Sequence, residues 1–475
     1  MRSRVPAILA NIGSEASLIK NYLFVVPTLL MSTPLWAQSS GTEVTKWQDG
    51  KDACVSITFD DSSINQFRVA IPLMNERGLP GTFFIITGDI DGSRYQPAFI
   101  GRPIKDILRE SEKTATTKEN MFERTSMLNY LSAVLHVPEL NGFRPQSLQR
   151  LITRSDIHAL AAIVDPLLAK LRESRGAYSN GPLKTAPPLR EPGDTSADWP
   201  GDRRYHLTWD ELRRHMAEGH EMANHTITHA LLPVMNEANI AYELEQSKKE
   251  MLEQLGPNSQ FSVEAPFGID DPRVKDVVAS RFPIARNWVL DDFMTGILRG
   301  GRTDPSTSTK DYVQWQRGPL AATPLGEMKG WVDTSLAHGI WLVLVIHGVE
   351  GIGWEPVTTE NLRSYFDYIA DCKPRLWVAT YQDAAKYARE RHASTVVAKA
   401  GSERIEVTVT HSLDKKLYDL PLTVKTRLPA DWKLARFEQG QDVRWLPVHH
   451  EGDSTFVLYR IAPNGSTAVV EKAVN

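Results

Sequence analysis

The residues best suited to do chemistry are two adjacent carboxylates early in the chain and two imidazoles further along. Asp60 and Asp61 close the apolar run 53–59, whose composition favours a β-strand. His225 and His229 stand four residues apart, with threonines between them. One carboxylate and two imidazoles form a three-ligand set that leaves metal positions open for water and substrate, as hydrolytic metal sites require. The other carboxylate would then be free to act as a base.

Each pair also has an ordinary explanation when it is taken alone. An Asp-Asp pair after a strand often begins a loop or caps a helix. Two histidines at this spacing often form a surface or packed pair. Both pairs follow predicted strands, however, and a βα-barrel places its chemistry at the carboxyl ends of its strands. The context therefore favours a shared site over two unrelated pairs.

Several segments resemble the motifs of the polysaccharide deacetylases, the family-4 carbohydrate esterases with the NodB-homology fold. The resemblance covers roughly residues 50–90 and 205–390. The segments that carry it are the first-motif run 58–61 with its sequel 80–84, the second-motif run 219–229 with its approach 209–212, and the fifth-motif-like strand 342–346 that ends at His347. The third and fourth motifs are atypical.

We assign Asp61, His225 and His229 as metal ligands. A carboxylate and two neutral imidazoles suit a borderline divalent ion, so Zn²⁺ is the expected metal, while Co²⁺ or Ni²⁺ would also bind. Asp60 is assigned as the base that takes a proton from water. His347 is expected to protonate the leaving group from the opposite side. The alternative for His347 is a strand-end histidine with a purely structural role.

The resemblance also suggests residues that contact the substrate. Val345 stands where the family often has a leucine that lines the acyl pocket. Trp288 would form the other wall, although a tryptophan at the end of a barrel strand is otherwise simply core. Pro266 and Phe267 belong to the third-motif segment and are assigned to substrate binding.

The residues expected to set the orientation and the pKa of the base depart from the family pattern. The third motif of the family begins with an arginine, which helps to orient the base, and here Glu264 occupies that position. In the fourth motif an aspartate usually supports that arginine, and the run 287–292 corresponds only loosely. Arg286 is the candidate to take over part of the missing role. If Glu264 points into the site, like-charge repulsion should raise the pKa of Asp60 or of Glu264 itself.

The order of predicted elements indicates an α/β fold. Strand-like runs alternate with helical patterns, which predicts parallel pairing in a barrel or a doubly wound sheet. Seven such runs match the distorted (β/α)7 barrel that the resemblance implies. The runs are 53–58, 82–87, 220–224, 262–265, 283–288, 340–346 and 375–380.

Two parts of the chain do not follow this alternation of strands and helices. Residues 92–205 form a long insertion in the barrel domain 38–400, helical in its first half and rich in loop-forming residues at its end. It is either a packing element or a wall of the substrate groove. From about residue 401 to 475 the pattern alternates, which predicts a small C-terminal β-sandwich domain. A structural appendage is the preferred interpretation of that domain, with carbohydrate binding as the alternative.

The N-terminus has the pattern of an export signal. Arg2, Arg4 and Lys20 precede the apolar run 22–31, and a small residue follows at Ala37. We therefore expect residues 1–37 to be a signal peptide, the mature protein to be periplasmic or secreted, and no stable membrane span to remain. An N-terminal core helix is the alternative interpretation of this segment.

Net charge bears on the class of binding partner, and the cysteine content bears on disulfide formation. The formal net charge of −4 over 475 residues does not suggest nucleic-acid binding and is compatible with a glycan partner. Cys54 and Cys372 are expected at the same end of the first and last barrel strands, so a disulfide is slightly favoured over two buried thiols.

The sequence thus predicts a metal-dependent hydrolase that removes acetyl groups, as amide or ester, from a polysaccharide or oligosaccharide. The alternatives are a carbohydrate-binding protein that keeps the metal without catalysis, and a hydrolase of the same fold that acts on another C–N or ester bond.

Overall fold

The fold is given by a computed structural model, which describes residues 41–473 except 175, 177, 181–206, 269–270, 288–291, 295 and 300–303. The N-terminal segment 1–37 and the loop-rich end of the insertion lie outside the described residues. No helix in the described part of the chain is long and apolar enough to cross a bilayer.

The strands fall into a parallel central sheet, two antiparallel C-terminal sheets and one short pair. In chain order they are β1 (Thr42–Val44), β2 (Ala53–Phe59), β3 (Thr82–Ile85), β4 (Ile90–Asp91), β5 (Leu207–Thr208), β6 (Glu221–Asn224), β7 (Ser262–Val263), β8 (Ile284–Ala285), β9 (Gly296–Leu298), β10 (Val313–Arg317), β11 (Trp341–Ile346), β12 (Leu376–Val378), β13 (Thr395–Ala400), β14 (Arg404–Thr410), β15 (Leu422–Arg427), β16 (Leu434–Gln439), β17 (Asp442–Pro447), β18 (His449–Glu451), β19 (Ser454–Ile461) and β20 (Asn464–Lys472).

The helices cover the central sheet and build the insertion. They are α1 (Ile71–Asn75), which continues a π-helical turn at Gln66–Ala70, α2 (Ile104–Glu110), α3 (Met121–Ala133), α4 (Gln146–Thr153), α5 (Ile157–Ser174), α6 (Trp209–Ala217), α7 (Glu237–Leu255), α8 (Pro272–Ala279), α9 (Leu325–His338), α10 (Thr359–Asp371) and α11 (Tyr381–Ala393). Short 3₁₀ turns lie at Gln48–Gly50, Thr87–Asp89, Pro138–Leu140, Leu232–Val234, Pro257–Ser259, Asp292–Met294 and Pro305–Thr307.

The central sheet is a curled, open barrel of parallel strands. Its order is β8-β7-β6-β3-β2-β11-β10-β9, and β12 also pairs with β2. The strands before the two sequence motifs, β2 and β6, are separated only by β3, so their carboxyl ends lie close together. Since every described pairing within this sheet is parallel, the loops that follow the strands emerge on the same side. The predicted distorted (β/α) barrel is confirmed.

Both faces of β2 are buried, as expected for a central parallel strand. Successive side chains point to opposite faces. Val55 and Ile57 belong to an outer cluster with the helices, whereas Cys54 belongs to an inner cluster with residues such as Phe84 and Trp341. The strand therefore holds two layers together and delivers Asp60 at its carboxyl end.

Helix boundaries follow local signals closely. Thr208 and Glu211 form the capping box that begins α6, and the Asn236 side chain accepts a hydrogen bond from the Asn239 amide at the start of α7. Asp271 caps α8, which has a proline at its first position. Such starts can be recognised in a sequence because capping depends on neighbouring residues alone.

The described part of the insertion is a helical layer. It leaves the barrel after β4 and returns at β5, and these two strands pair with each other. Helices α2 to α5 share a core with α7, α8 and the segment 230–235. The insertion contacts the segment that follows His229, because Thr125 Oγ1 donates to the Val234 carbonyl at 2.5 Å. Glu250 on α7 anchors the entry of the insertion by accepting from the Arg94 amide at 2.5 Å.

Two antiparallel sheets follow α11 and share one apolar core. Their orders are β1-β15-β19-β18 and β13-β14-β20-β16-β17. The N-terminal strand β1 thus joins the C-terminal sheets. This arrangement is the predicted β-sandwich, and strands such as β14 alternate between buried and more exposed residues, as a strand with one face on the core does.

Two strands of the central sheet were not identified from the sequence. They are β9 and β10, and with them the described part of the sheet has nine strands. Alternate positions of β10 carry Gln314 and Gln316, which are buried and donate to the Tyr381 hydroxyl at 2.8 Å and the Arg286 carbonyl at 2.6 Å. Buried polar residues whose hydrogen-bond partners lie far away in the sequence hide the apolar pattern of a strand.

The expected disulfide is wrong, because both cysteines are free thiols. The first and last strands do pair, with Cys54 opposite Trp377. The Cys54 side chain, however, faces the inner cluster, while Cys372 ends α10 and packs against the outer cluster. Strand alternation therefore directs the Cys54 thiol away from the layer in which Cys372 lies.

Candidate metal and catalytic site

The site is built from loops with strained backbones at the carboxyl ends of β2 and β6. Non-glycine residues with left-handed φ angles include Asp61 at 74°, Thr226 at 69° and His229 at 58°. Each such conformation costs on the order of 1–3 kcal/mol and persists only where its surroundings hold it. The loop around Thr226 is held locally: its amide donates to Asn224 Oδ1 at 2.9 Å, and its hydroxyl accepts from the His229 amide at 3.1 Å.

Asp61, His225 and His229 come together as a candidate metal centre. Their ligand atoms all lie within 4.8 Å of one another. The distance from Asp61 Oδ1 is 3.4 Å to His225 Nε2 and 3.1 Å to His229 Nε2. His225 Nδ1 lies 2.7 Å from the Glu264 carbonyl oxygen and donates to it, which leaves the lone pair of Nε2 directed at the cluster.

The donor set fits a divalent ion. Asp61 Oδ1 is buried and makes no well-aligned hydrogen bond, even though two imidazole nitrogens lie close to it. A buried carboxylate oxygen without a hydrogen-bond partner is costly unless a cation satisfies it. Burial alone would raise the pKa of Asp61, but the two histidines outweigh burial and hold that pKa far below its ordinary value. The carboxylate is thus in the charged form that a metal ligand requires.

Asp60 is held by a buried arginine. Arg286 Nη1 and Nη2 donate to the two carboxylate oxygens of Asp60 at 2.7 and 2.6 Å, and Nη1 also donates to Thr58 Oγ1 at 2.9 Å. The side chains of Asp60 and Arg286 are each about 4% exposed. Burial opposes ionisation of Asp60 most strongly, but Arg286 and then His347 hold the pKa of Asp60 below its ordinary value. The candidate base is therefore ionised and fixed in orientation.

Glu264 points into the site and does not turn away from it. Its Oε1 lies 3.4 Å from Arg286 Nη2 and accepts a hydrogen bond from Asn287, while its Oε2 is buried without a hydrogen-bond partner among the described residues. Burial raises the pKa of Glu264 above its ordinary value; Arg286 opposes this shift and Asp60 adds to it. One guanidinium thus lies against two carboxylates, with its stronger contacts to Asp60.

His347 lies beside Asp60. Its Nε2 is 3.4 Å from Asp60 Oδ2, and its ring is 4.6 Å from the ring of Trp354. Gln66 connects this residue to the first motif, because its Nε2 donates to the Asp60 carbonyl at 2.5 Å and to the His347 carbonyl at 2.6 Å. The backbones of the two catalytic candidates are therefore linked by one side chain.

The residues assigned to the substrate have different environments. Phe267 is 52% exposed and its ring lies 4.6 Å from the ring of His229, whereas Pro266 is buried. Val345, in β11, is partly exposed. Trp288 lies outside the described residues.

Glu243 is a site-supporting residue that the sequence analysis missed. It lies on α7, and its Oε2 accepts from the amides of Ile227 and Thr228 at 3.0 Å each, while its Oε1 accepts from Thr228 Oγ1 at 2.9 Å. It thus holds the loop between the two candidate ligand histidines. Burial raises the pKa of Glu243 to about 7, despite these hydrogen bonds. A buried acid on an otherwise amphipathic helix, facing the second motif, is the signal that would have identified it.

Together these groups bring a candidate cation site, an ionised carboxylate and a second acid–base candidate close to one another. Such an arrangement can activate water against an acyl carbon and protonate the leaving group. It is the grouping expected for acyl-transfer hydrolysis.

Comparison with known proteins is consistent with this grouping. A family model described as polysaccharide deacetylase matches residues 48–117 and 192–281. A gellan lyase from Bacillus sp is 23% identical over 287 residues, which are 54% of this chain and 11% of that protein. The matched region therefore spans about a tenth of the length of that relative.

Two solved structures show distant similarity to this chain. The Xyl-CE4 domain of a multidomain xylanase from the hindgut metagenome of Trinervitermes trinervoides is 10% identical, with a TM-score of 0.31, over 70% of this chain and 89% of that one. A family 4 carbohydrate esterase from Bacillus anthracis is 11% identical, with a TM-score of 0.30, over 72% of this chain and 86% of that one. These scores describe distant similarity, so the fold assignment depends on the strand order given above. The match of the family model to both motif-bearing segments confirms the resemblance of this chain to polysaccharide deacetylases.

Proposed function

We propose that this protein hydrolyses acetyl groups, bound as amide or ester, on a polysaccharide or oligosaccharide with the help of a divalent metal ion. The observation that carries the proposal is the convergence of Asp61, His225 and His229 beside the buried, arginine-paired Asp60. Similarity to polysaccharide deacetylases supports a glycan as the substrate class. The candidate base Asp60 and the candidate ligand Asp61 are adjacent residues of one loop, and the two histidines come from the loop after β6.

Asp61, His225 and His229 would hold the ion, and Zn²⁺ is the expected metal because the donors are one oxygen and two nitrogens. When bound, the ion would polarise the acyl carbonyl and acidify water. The protein supplies the orientation of the donors. The Glu264 carbonyl fixes the ring of His225, and Glu243 holds the loop between the two histidines.

Asp60 would accept the proton of the attacking water. Its two oxygens are fixed by Arg286, so the carboxylate cannot rotate away, and burial excludes bulk water that would weaken its interactions. Arg286 thus supplies the cation that the family places at the position of Glu264. His347, next to Asp60 and partly exposed, would donate a proton to the departing amine or alkoxide oxygen.

The acyl group would lie against residues at the ends of β7 and β11. Val345, Pro266 and Phe267 are the described candidates, and Trp288 is proposed as a further wall. We also propose that residues 1–37 direct export, so that the mature protein meets its glycan in the periplasm or outside the cell. Determining the N-terminal residue of the protein recovered from those fractions would test this.

The experiment that tests the function is an acetate-release screen with chitin oligomers, peptidoglycan fragments and acetylated xylan. The wild type, loaded with Zn²⁺, should release acetate from at least one substrate, and chelation should abolish the release. Asp60→Asn should keep the metal but lose roughly 10²-fold or more in turnover, the scale of a lost general base. Full activity of that variant would show that Asp60 is not the base.

The outcomes also separate the alternatives. A full metal site without acetate release from any substrate would favour a carbohydrate-binding protein. Release of a different acyl group would favour the hydrolase of another bond. A wild type that binds no stoichiometric divalent ion would contradict the metal site itself.

A further inference from the structure

Three buried polar side chains on the inner side of the central sheet have no role in the proposed mechanism. They are Gln314 and Gln316 on β10 and Tyr381 at the start of α11, and each is 5% exposed or less. Because side chains alternate along a strand, the two glutamines share one face of β10, while Trp315 between them packs in the outer cluster. Buried amides and hydroxyls are unfavourable unless they are hydrogen-bonded, and apolar side chains would fill the same space. The partners of these three groups therefore indicate what they do.

The three side chains form a hydrogen-bonded chain that ends on the backbone of Arg286. Gln314 Nε2 donates to the Tyr381 hydroxyl at 2.8 Å, and Gln316 Nε2 donates to Gln314 Oε1 at 2.6 Å. Gln316 Nε2 also donates to the Arg286 carbonyl at 2.6 Å. The Tyr381 hydroxyl donates to the preceding carbonyl, that of Ala285, at 3.3 Å. Two successive carbonyl groups of the segment that carries Arg286 are thus held from the interior of the barrel.

The segment that carries Arg286 is held by the sheet from one side. The strand before it, β8, has two residues and lies at one end of the sheet order, where β7 is its one partner among the described strands. The Arg286 amide donates to the Val263 carbonyl of β7 at 3.0 Å. Neither β10 nor α11 is a sheet neighbour of β8, so the polar chain is a second anchor that comes from another part of the barrel.

The position of the Arg286 backbone determines whether the candidate base is held. The guanidinium meets the two oxygens of Asp60 at 2.7 and 2.6 Å, although three strands separate β8 from β2 in the sheet order. Arg286 Nε is buried and has no hydrogen-bond partner among the described residues, so the contacts of the side chain are made at its tip. A displacement of the backbone would therefore displace the tip, and misplacement of a catalytic group by about 1 Å can cost on the order of 10²-fold in rate.

We propose that Gln316, supported by Gln314 and Tyr381, is a positioning residue for Arg286 and acts through it on the candidate base Asp60. The inference rests on the proposed function, in which Asp60 accepts the proton of the attacking water. None of the three side chains contacts the carboxylate itself in the described hydrogen bonds; they fix the backbone from which the guanidinium extends. A buried network in which each member is hydrogen-bonded is suited to this role because it holds one arrangement of the groups that it joins.

The test replaces Gln316 with methionine, which is of similar length but cannot donate either hydrogen bond. For acetate release, kcat and kcat/KM should fall together by roughly ten- to 10²-fold, while KM changes little, because the polar chain acts on the base and not on substrate binding. Tyr381→Phe keeps the buried ring and removes only the hydroxyl, so it should lower kcat in the same way but to a smaller extent. Unchanged kcat in both variants would overturn the inference.

Two further variants serve as controls. Gln439 Nε2 likewise donates to backbone carbonyls, those of Ala462 at 3.2 Å and Ser466 at 3.3 Å, but it lies in the C-terminal sheets, so Gln439→Met should change neither kcat nor KM. Gln316→Ala separates hydrogen bonding from packing. If Gln316→Ala loses activity while Gln316→Met keeps the wild-type kcat, Gln316 only fills space and the inference is wrong. A rise in KM at unchanged kcat would contradict it as well, because Gln316 would then act on substrate binding.

Stability measurements separate this inference from the proposed function. If the wild type releases no acetate, the proposed function fails, but urea denaturation still tests the role of Gln316. Gln316→Met should lower the free energy of unfolding less in the Arg286→Gln background than in the wild type, because the ion pair with Asp60 is already lost there. Asp60→Asn removes the same ion pair from the other side and is the background to use if Arg286→Gln does not fold. Equal losses in the wild type and in these backgrounds would show that Gln316 acts independently of the ion pair, which would overturn the inference.

Discussion

Removing the charge of Arg286 should be among the most damaging single changes in the central sheet. The guanidinium makes two hydrogen bonds to Asp60 at 2.7 and 2.6 Å and a third to Thr58 at 2.9 Å, with both ionic side chains about 4% exposed. Arg286→Gln leaves the Asp60 carboxylate buried without its cation. Breaking a buried pair from one side costs about 3–5 kcal/mol.

Glu264 should behave in the opposite way. In the wild type, Arg286 already satisfies Asp60, and Glu264 Oε2 has no hydrogen-bond partner among the described residues, so Glu264→Gln should change the free energy of unfolding by less than about 1.5 kcal/mol, the range of a single hydrogen bond. In the Arg286→Gln background, however, Glu264 is a second unopposed buried carboxylate. Adding Glu264→Gln there should therefore stabilise the protein.

Urea denaturation of the wild type, both single variants and the double variant measures this cycle. Acetate release should follow the same order, with Glu264→Gln close to wild type and Arg286→Gln severely impaired. The reasoning would be refuted if Arg286→Gln cost less than about 1 kcal/mol, or if Glu264→Gln were the more damaging single change. It would also fail if Glu264→Gln destabilised the Arg286→Gln background.

Three further predictions concern other parts of the chain. His229→Ala should lose most bound Zn²⁺ by metal analysis while circular dichroism stays unchanged, and His338→Ala, an exposed control, should keep the metal. Glu243→Ala should weaken metal affinity about 10- to 100-fold, whereas Glu243→Gln should retain most of it. Burial raises the pKa of Glu243 to about 7, so the free energy of unfolding of the wild type should fall as pH rises from about 4.5 to 7. Glu243→Gln should lack this contribution to the dependence of the free energy of unfolding on pH. The same pH dependence in both proteins would contradict the assignment. Thiol titration of the denatured, unreduced protein should find two free thiols, Cys54 and Cys372, and none would mean that a disulfide forms.

Features set by neighbouring residues could be predicted from the sequence. The capped starts of α6, α7 and α8 are features of this kind, because a cap and its helix lie within a few residues. The apolar run that forms β2 and the four-residue spacing of the two histidines are also local features, so both could be recognised in the sequence. The fold class followed from the alternation of strand and helix patterns, since that alternation requires parallel pairing.

Features set by long-range packing could not be predicted in the same way. The strand β10 was missed because Gln314 and Gln316 are buried with partners far away in the sequence, so their polarity says nothing about exposure. Glu243 was missed because its role depends on the angle at which α7 packs against the second-motif loop. The prediction of a disulfide was wrong because the pairing of two strands does not determine on which face of the sheet each side chain lies.

The sequence by itself determined the candidate ligands, the candidate base and the fold that brings them to one edge of a sheet. It named Glu264 and Arg286 as the unusual pair but left open which of them controls the base. Only the tertiary structure decided this. Arg286 lies at the end of β8 and Asp60 lies at the end of β2, and three strands separate β8 from β2 in the sheet order. The sheet curls enough to bring the two side chains into contact. Curvature of a sheet results from the packing of all its layers, so no local pattern of residues encodes that contact.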